Sequence, residues 1–239
     1  MKKTGEKIGC CGFAASRSAY FKTFGVVEVQ QTFYQPPKQD TLKRWRDEAP
    51  ADFEFALKAW QLITHEASSP TYRRLRQRLS EQQKQQVGAF RYTGIVRQAW
   101  ETTLHVARVL KADKIIFQCP PSFKPTDENK DRMRKFFSHI DRTNITAIWE
   151  PRGKWRNELV AELCRELDLV HCVDPFKAEC MTDGLRYYRL HGTTGYRHTY
   201  SDQELHDLTG HRAGKAAMYF LFNNMTMYSD AKRFQNISK

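Results

Sequence analysis

Seven polar or charged residues each stand at the end of a short apolar run: Glu28, Lys58, Gln118, Glu150, Asp174, His191 and Asn223. A polar group in such a place costs several kcal/mol unless it is paired or opens on a cleft, so chemistry is sought here first. Glu28, Glu150, Asp174 and His191 form a candidate catalytic set whose oxygen and nitrogen donors could also hold a divalent metal. A metal would lower the pKa of a bound water and offset phosphate charge, which suits phosphodiester hydrolysis. A metal-free scheme uses the same groups. Lys58 with Arg152 or Arg189 would clamp a phosphate or carboxylate, Glu28 or Glu150 would act as general base, and His191 as general acid near neutral pH. A paired-carboxylate glycoside hydrolase is a third chemistry, requiring Glu28 and Glu150 roughly 5–5.5 Å or 6.5–9.5 Å apart. A purely structural network, with Glu28–Lys58 and Glu150–Arg152 as ion pairs, is the alternative to all three.

Aromatic residues extend the candidate binding surface. Tyr34, Trp60, Trp155, Tyr196 and Tyr200 lie in or beside the segments that follow the apolar runs, where rings can stack on bases or sugars. Gln118, Arg152, Arg189 and Asn223 would add polar contacts to a substrate. Phe33, Phe55, Phe117 and Phe220 fall within runs, where core packing is expected. Residues 192–197, Gly-Thr-Thr-Gly-Tyr-Arg, can cradle an anion with backbone amides or form a plain surface loop. No Walker loop, dinucleotide fingerprint or nucleophilic triad is present.

The elements that must position these residues follow from periodicity. Eight apolar, β-rich runs occur at 8–11, 26–30, 53–58, 114–118, 146–150, 169–173, 187–190 and 218–222. Most are nearly continuous, as expected for strands buried on both faces of a parallel sheet. Met133, Phe136, Phe137 and Ile140 repeat at helical spacing, as do Trp100, Thr103, Leu104, Ala107 and Leu110, and Leu159, Val160, Leu163, Cys164 and Leu167. Ser201 with Glu204 forms a capping box, and Asp40 and Thr126 are candidate N-caps. Eight strands alternating with helices predict a (β/α)₈ barrel, as a single domain over residues 1–239, in which the loops after the strands build the site. A doubly wound sheet is the competing architecture, but Gly9-Cys10-Cys11-Gly12-Phe13 lacks its glycine fingerprint. Residues 68–98, rich in Arg, Lys and Gln, are expected to form a basic helical excursion between the third and fourth strands, either a solvated helix face or, through Tyr72 to Arg78, a polyanion-gripping arm.

Composition narrows the partners. The 239-residue chain carries a formal charge of +12 and 40% hydrophobic residues. A surplus this large attracts polyanions over roughly 8–10 Å at physiological salt, which points to nucleic acid or a phosphorylated small molecule, with solubility or habitat as the alternative cause. The six cysteines show no zinc spacing and are expected to be reduced and buried. Cys10 and Cys11 should face opposite sides of one strand. No apolar stretch is long enough to span a membrane and no secretory signal is expected, so a cytoplasmic location is inferred.

Several stretches resemble the domain of unknown function 72 (DUF72) family. They are Val27-Glu28-Val29-Gln30-Gln31-Thr32-Phe33-Tyr34, Phe53-Glu54-Phe55-Ala56-Leu57-Lys58-Ala59 and Ile63-Thr64-His65. Further along come Phe117-Gln118-Cys119-Pro120-Pro121-Ser122-Phe123, Trp149-Glu150-Pro151-Arg152-Gly153-Lys154-Trp155, Tyr188-Arg189-Leu190-His191-Gly192 and Phe222-Asn223-Asn224. The blocks run in order along essentially the whole chain. The resemblance implies a TIM-like barrel and brings no established activity. The chain departs from the family pattern at Cys10-Cys11-Gly12-Phe13, usually a Thr-Ser-Gly-Trp-like turn, and at Met225, usually small or acidic.

Overall fold

The computed structural model describes residues 5–211 and 216–237. Eight strands, Glu6–Cys11 (β1), Val26–Val29 (β2), Glu54–Lys58 (β3), Lys114–Gln118 (β4), Thr146–Glu150 (β5), Val170–Val173 (β6), Arg186–Leu190 (β7) and Met218–Phe222 (β8), pair in parallel and in chain order. β8 returns to β1 and closes the barrel. All eight expected runs are strands, and their ends fall within two residues of the expectation. The helices are Arg17–Thr23 (α1), Gln31–Tyr34 (α2), Gln39–Glu48 (α3), Gln61–Thr64 (α4), Glu81–Gln86 (α5), Gly94–Leu110 (α6), Asp127–His139 (α7), Asn157–Leu167 (α8), Asp202–Leu208 (α9) and Met227–Ile237 (α10).

Strand alternation builds two apolar layers. Val26, Ala56, Ile116, Ile148, Cys172, Tyr187 and Leu221 pack inside the barrel. Val27, Phe55, Ile115, Phe117, Trp149 and Phe220 pack outward under the helices. Two residues beyond each inner residue, the same face carries Glu28, Lys58, Gln118, Glu150, Asp174, Arg189 and Asn223. Period two thus lifts the polar set above the apolar plug. Cys10 and Cys11 do face opposite layers, and all six cysteines are free thiols. At the other end of the barrel, Glu54 accepts from Tyr219 at 2.6 Å and pairs with Lys7 at 3.0 Å and Lys114 at 3.5 Å.

Local signals explain the helices. The apolar stripes of α6, α7 and α8 are buried as their spacing requires. Ser201 and Glu204 form the capping box of α9, and the Thr126 side chain caps α7. Asp40 is not a cap: Lys38 holds that position and Asp40 sits in the first turn of α3, where a carboxylate still complements the helix dipole. Gly9 meets a strict steric demand, because a Cβ there would lie 2.2 Å from the Val26 carbonyl oxygen. The Tyr20 hydroxyl fills the adjacent space, accepting from the Cys10 amide at 2.7 Å and donating to Val26 at 3.0 Å.

The expected helical excursion is largely irregular. Residues 68–98 hold a 3₁₀ turn, Pro70–Arg74, the short α5, and the start of α6. The Arg/Gln run has no apolar face to bury, so packing pins it only at points. Tyr72 donates to the His65 carbonyl at 2.7 Å, and the Gly88 amide donates to Leu62 at 2.8 Å with Gly88 at φ 78°. Among the described residues no helix is long and apolar enough to cross a membrane.

Candidate functional site

One buried guanidinium organises the strand ends. Arg189, 1% exposed, donates Nε to Glu28 Oε2 at 3.1 Å, places Nη2 3.0 Å from Glu28 Oε1, and donates Nη1 to Glu150 Oε2. Glu28 also accepts from the Tyr187 hydroxyl at 3.0 Å and from Gln30 Nε2. Gln118 joins the set by donating to Glu150 Oε2 at 2.9 Å and accepting from Lys58 Nζ at 2.6 Å. Lys58 therefore pairs with Gln118 and the Phe33 ring, 3.7 Å from its Nζ, and not with Glu28 as the pairing alternative had it. The expected Glu150–Arg152 pair is present, with Nε 3.0 Å from Oε1.

The network surfaces at two charged or titratable side chains. Arg152 and His191 keep 38% and 19% of their side chains exposed, whereas those of Glu28, Glu150 and Arg189 keep 7% or less. His191 Nε2 lies 3.0 Å from Glu150 Oε1 and 2.8 Å from Arg152 Nη2, and its Nδ1 lies 3.0 Å from Asn223 Nδ2. The tautomer divides these partners: with the proton on Nε2 the ring donates to Glu150 and accepts from Asn223 at Nδ1, and with the proton on Nδ1 it accepts from Arg152 at Nε2. Asp174 accepts the His191 backbone amide at 3.0 Å and the Phe176 amide at 3.2 Å, which fixes the start of the loop after β7.

Charge states follow from these contacts. Burial alone would push the Glu150 carboxyl up, but Arg189, Arg152 and the His191 hydrogen bond together hold it well below the usual range. Burial lowers the His191 imidazole, against the pull of Glu150. Burial also lowers Lys58 to about 7, assisted by Arg189. A deeply ionised Glu150 is a weak base, and an imidazole with a lowered pKa is a base at neutral pH.

Two cavities flank Arg152. One, about 540 Å³, is lined by Arg152, His191, Asn223, Asp174, Lys177, His171, Trp155 and Tyr196 among others. The other, about 420 Å³, is lined by Arg152, Gln118, His65, Ser68, Ser69, Thr71 and Ser122 among others. Of the three expected clamp cations, Arg152 is thus the one with access to solvent, while Lys58 and Arg189 lie behind it within the network. His171, held at about 4 by burial, and the hydroxyls of the second cavity were not singled out from sequence. His171 is strand-internal, and serines scattered over an irregular segment give no pattern.

Of the expected aromatic contacts, Tyr196 is 60% exposed and, with Trp155, lines the larger cavity. Tyr34 is half-buried beneath the Arg74 guanidinium, 3.8 Å from its ring. Tyr200 and Trp60 cannot stack on a ligand at the mouth: Tyr200 is 1% exposed and its hydroxyl accepts from the Gly192 amide at 2.8 Å, and Trp60 packs in the outer core. Phe33 is buried as expected, but in α2 rather than in a strand. Gly192 and Gly195 take φ of 84° and 112°, and Gly195 reaches the larger cavity.

Glu28, Glu150, Asp174 and His191 do not fit a divalent metal. Both glutamates are saturated by cationic and neutral donors, and Asp174 accepts two backbone amides. Among the described residues no group of three His, Cys, Asp or Glu is arranged to hold an ion. The Arg189 guanidinium also occupies the space between Glu28 and Glu150, which leaves no room for the sugar a paired-carboxylate glycosidase needs.

Eight parallel strands closed into a barrel, with helices outside and polar groups at the strand ends, define a TIM-like α/β barrel. The chain belongs to the DUF72 family, whose model, described as a protein of unknown function, matches residues 14–238. A DUF72 family protein from Enterococcus faecalis superposes with a TM-score of 0.73 at 18% identity, covering 98% of this chain and 97% of that one. Another, from Thermotoga maritima, gives 0.68 at 17% identity and covers 98% of each chain. A family 2 AP endonuclease from Brucella melitensis gives 0.54 at 11% identity, with 92% and 93% covered. At these identities the likeness is one of fold. No curated protein matches the chain.

Proposed function

We propose that the barrel mouth binds a phosphate-containing substrate, with a nucleic-acid strand as the class favoured by charge, and hydrolyses it by acid–base chemistry. The observation that carries this reading is the joint exposure of Arg152 and His191, 2.8 Å apart, over the buried carboxylate of Glu150, with both lining the larger cavity and Arg152 also lining the smaller. Arg152 would hold a phosphoryl oxygen and offset charge that builds in the transition state. His191 Nδ1, freed from Asn223, would take the proton of an attacking water, while Glu150 steadies the imidazolium through Nε2–H. The water oxygen bonds to phosphorus, the bond to the leaving alkoxide breaks, and the imidazolium returns the proton. Arg73, Arg74, Arg76 and Arg78 after β3, and Lys154 and Arg156 after β5, have no carboxylate partner among the described residues and are free to meet further phosphates.

The test pairs two variants with two readouts. Arg152→Ala should weaken single-stranded oligonucleotide binding by about 10- to 100-fold, the range for a charged hydrogen bond, and flatten its salt dependence. His191→Gln should leave affinity nearly intact and cut phosphodiester turnover by about 10²- to 10⁴-fold. Binding that depends on Arg152, with no turnover in wild type, would leave a nucleic-acid-binding module. Unchanged binding and turnover in both variants would refute the site.

A further inference from the structure

Arg152 lines both cavities of the mouth, and the two are chemically unlike. The larger carries rings that a ligand can reach, the half-buried Trp155 and the exposed Tyr196. The smaller, about 420 Å³, has the size of a small-ligand pocket but no such ring. His65 is the one ring in its lining; it is buried, and its Nδ1 lies 2.8 Å from the Thr64 hydroxyl.

What the smaller cavity offers is hydroxyls. Ser68 and Ser122 line it at exposed positions, and neither hydroxyl has a hydrogen-bond partner among the described residues. Ser69 and Thr71 are half-buried beside them and bond each other at 2.8 Å. The other polar side chains of the lining are already engaged: Glu66 by Arg91, and Gln118 by Lys58 and Glu150. A hydroxyl both donates and accepts, so two free hydroxyls match a neutral ligand that carries hydroxyls of its own.

A phosphate held at Arg152 can carry one substituent into each cavity. A phosphomonoester would fill one and leave the other empty, whereas a diester fills both. Rings suit a base in the larger cavity. Hydroxyls suit the sugar of the neighbouring unit in the smaller one, and the 2′-hydroxyl of that sugar is what lets a protein tell RNA from DNA.

We propose that the smaller cavity is a ribose subsite, in which Ser68 and Ser122 bind the 2′-hydroxyl of the unit next to the phosphate at Arg152, so that the mouth prefers RNA to DNA. The proposal rests on the reading of the mouth as a phosphate site and names the substrate class of that site.

The experiment compares three single-stranded oligonucleotides of one sequence by fluorescence anisotropy: DNA, RNA and 2′-fluoro RNA. The fluorine keeps the sugar pucker of RNA but cannot donate a hydrogen bond, so it separates recognition of the hydroxyl from recognition of strand shape. RNA should bind about 3- to 10-fold more tightly than either of the others, the worth of one neutral hydrogen bond. Ser68→Ala combined with Ser122→Ala, both at exposed positions outside the core, should bring RNA down to the level of 2′-fluoro RNA. Equal affinity for RNA and 2′-fluoro RNA in the wild type, or a preference that survives in the double variant, would overturn the subsite. Arg152→Ala should weaken all three strands alike, because their phosphates are the same. Absence of an RNA preference with that effect intact sinks the subsite and spares the phosphate site; absence of the Arg152 effect sinks both.

Discussion

Replacing Arg189 by Met should cost about 3–5 kcal/mol at neutral pH, the range for breaking a buried ion pair from one side. The structure says where the cost falls. Glu28, with no exposed surface, would keep only Tyr187 and Gln30, both neutral, while Glu150 would keep Arg152, Gln118 and His191. Most of the loss therefore belongs to Glu28, and Glu28→Gln in the Arg189→Met background should recover about half of it or more. The pH dependence has a definite sign. Arginine contacts hold the wild-type Glu150 carboxyl well below its ordinary 4.5. Its contribution to stability is therefore present above that value and lost as the pH falls through the folded value. In the variant Glu150 has lost one of its two guanidiniums and takes up a proton more readily, so the penalty should be largest at neutral pH and shrink as the pH falls towards and below about 4.5. Urea unfolding at neutral and mildly acidic pH measures both quantities from the midpoint and slope. If the Met variant does not fold at neutral pH, Arg189→Lys should fold with an intermediate cost, since one charge remains. A cost under about 1 kcal/mol, or one that is the same at both pH values, would refute the claim that this guanidinium balances two buried carboxylates.

Three further outcomes follow from the same contacts. Because burial lowers Lys58 from 10.5 to about 7, the unfolded chain binds more protons between those values. Wild-type stability should therefore rise with pH across that window, by a few kcal/mol at about 1.36 kcal/mol per pH unit; Lys58→Met should flatten the rise, and an unchanged slope in urea titrations would contradict the assignment. The lowered His191 imidazole predicts a kcat/KM whose acid limb is centred below 6.5, and a limb centred at or above 6.5 would remove His191 as the base. Gly9→Ala would put a Cβ 2.2 Å from the Val26 carbonyl and should destabilise by about 1–3 kcal/mol through overpacking, which a thermal melt would register as a lower midpoint.

The strands were legible because burial on both faces writes them as nearly continuous apolar runs, and the polar residue closing each run marked the mouth. Which of those residues would pair with which was not legible. Glu28 sits 30 positions before Lys58 and 161 before Arg189, and only closure of β7 beside β8 and β1 brings the distant partner nearer. The surroundings of Glu150 were hidden for a related reason: a sequence shows a carboxylate and an imidazole but not the two guanidiniums converging on one of them. Residues 68–98 misled differently. Arg and Gln have high helix propensity, yet without an apolar stripe the segment stays in short turns pinned by Tyr72, Gly88 and Phe90. Trp60 and Tyr200 illustrate the limit of placing aromatics by position alone, since a loop that folds back buries its rings as firmly as a strand does.

The charge surplus acquires a location once the ion pairs are laid out. Some cations on the outer helices are answered nearby, Arg17 by Glu48 at 2.5 Å, Lys130 by Asp127 at 2.6 Å, Arg134 by Glu166 at 2.7 Å and Arg233 by Asp202 at 2.5 Å, while Lys22, Lys43, Lys135, Arg165 and Lys232 have no carboxylate partner among the described residues. Such exposed pairs add little to stability, but they do spend charge where they stand. Arg73, Arg76, Arg78, Lys154, Arg156 and Arg197 have no such partner among the described residues, and all six follow strand ends β3, β5 and β7. Part of the surplus therefore stands on post-strand segments. Placed there, it raises the local concentration of anions over Arg152 and His191 by field alone, before any contact forms. The buried network below needs none of these six cations, because Arg189 and Arg152 already balance Glu28 and Glu150.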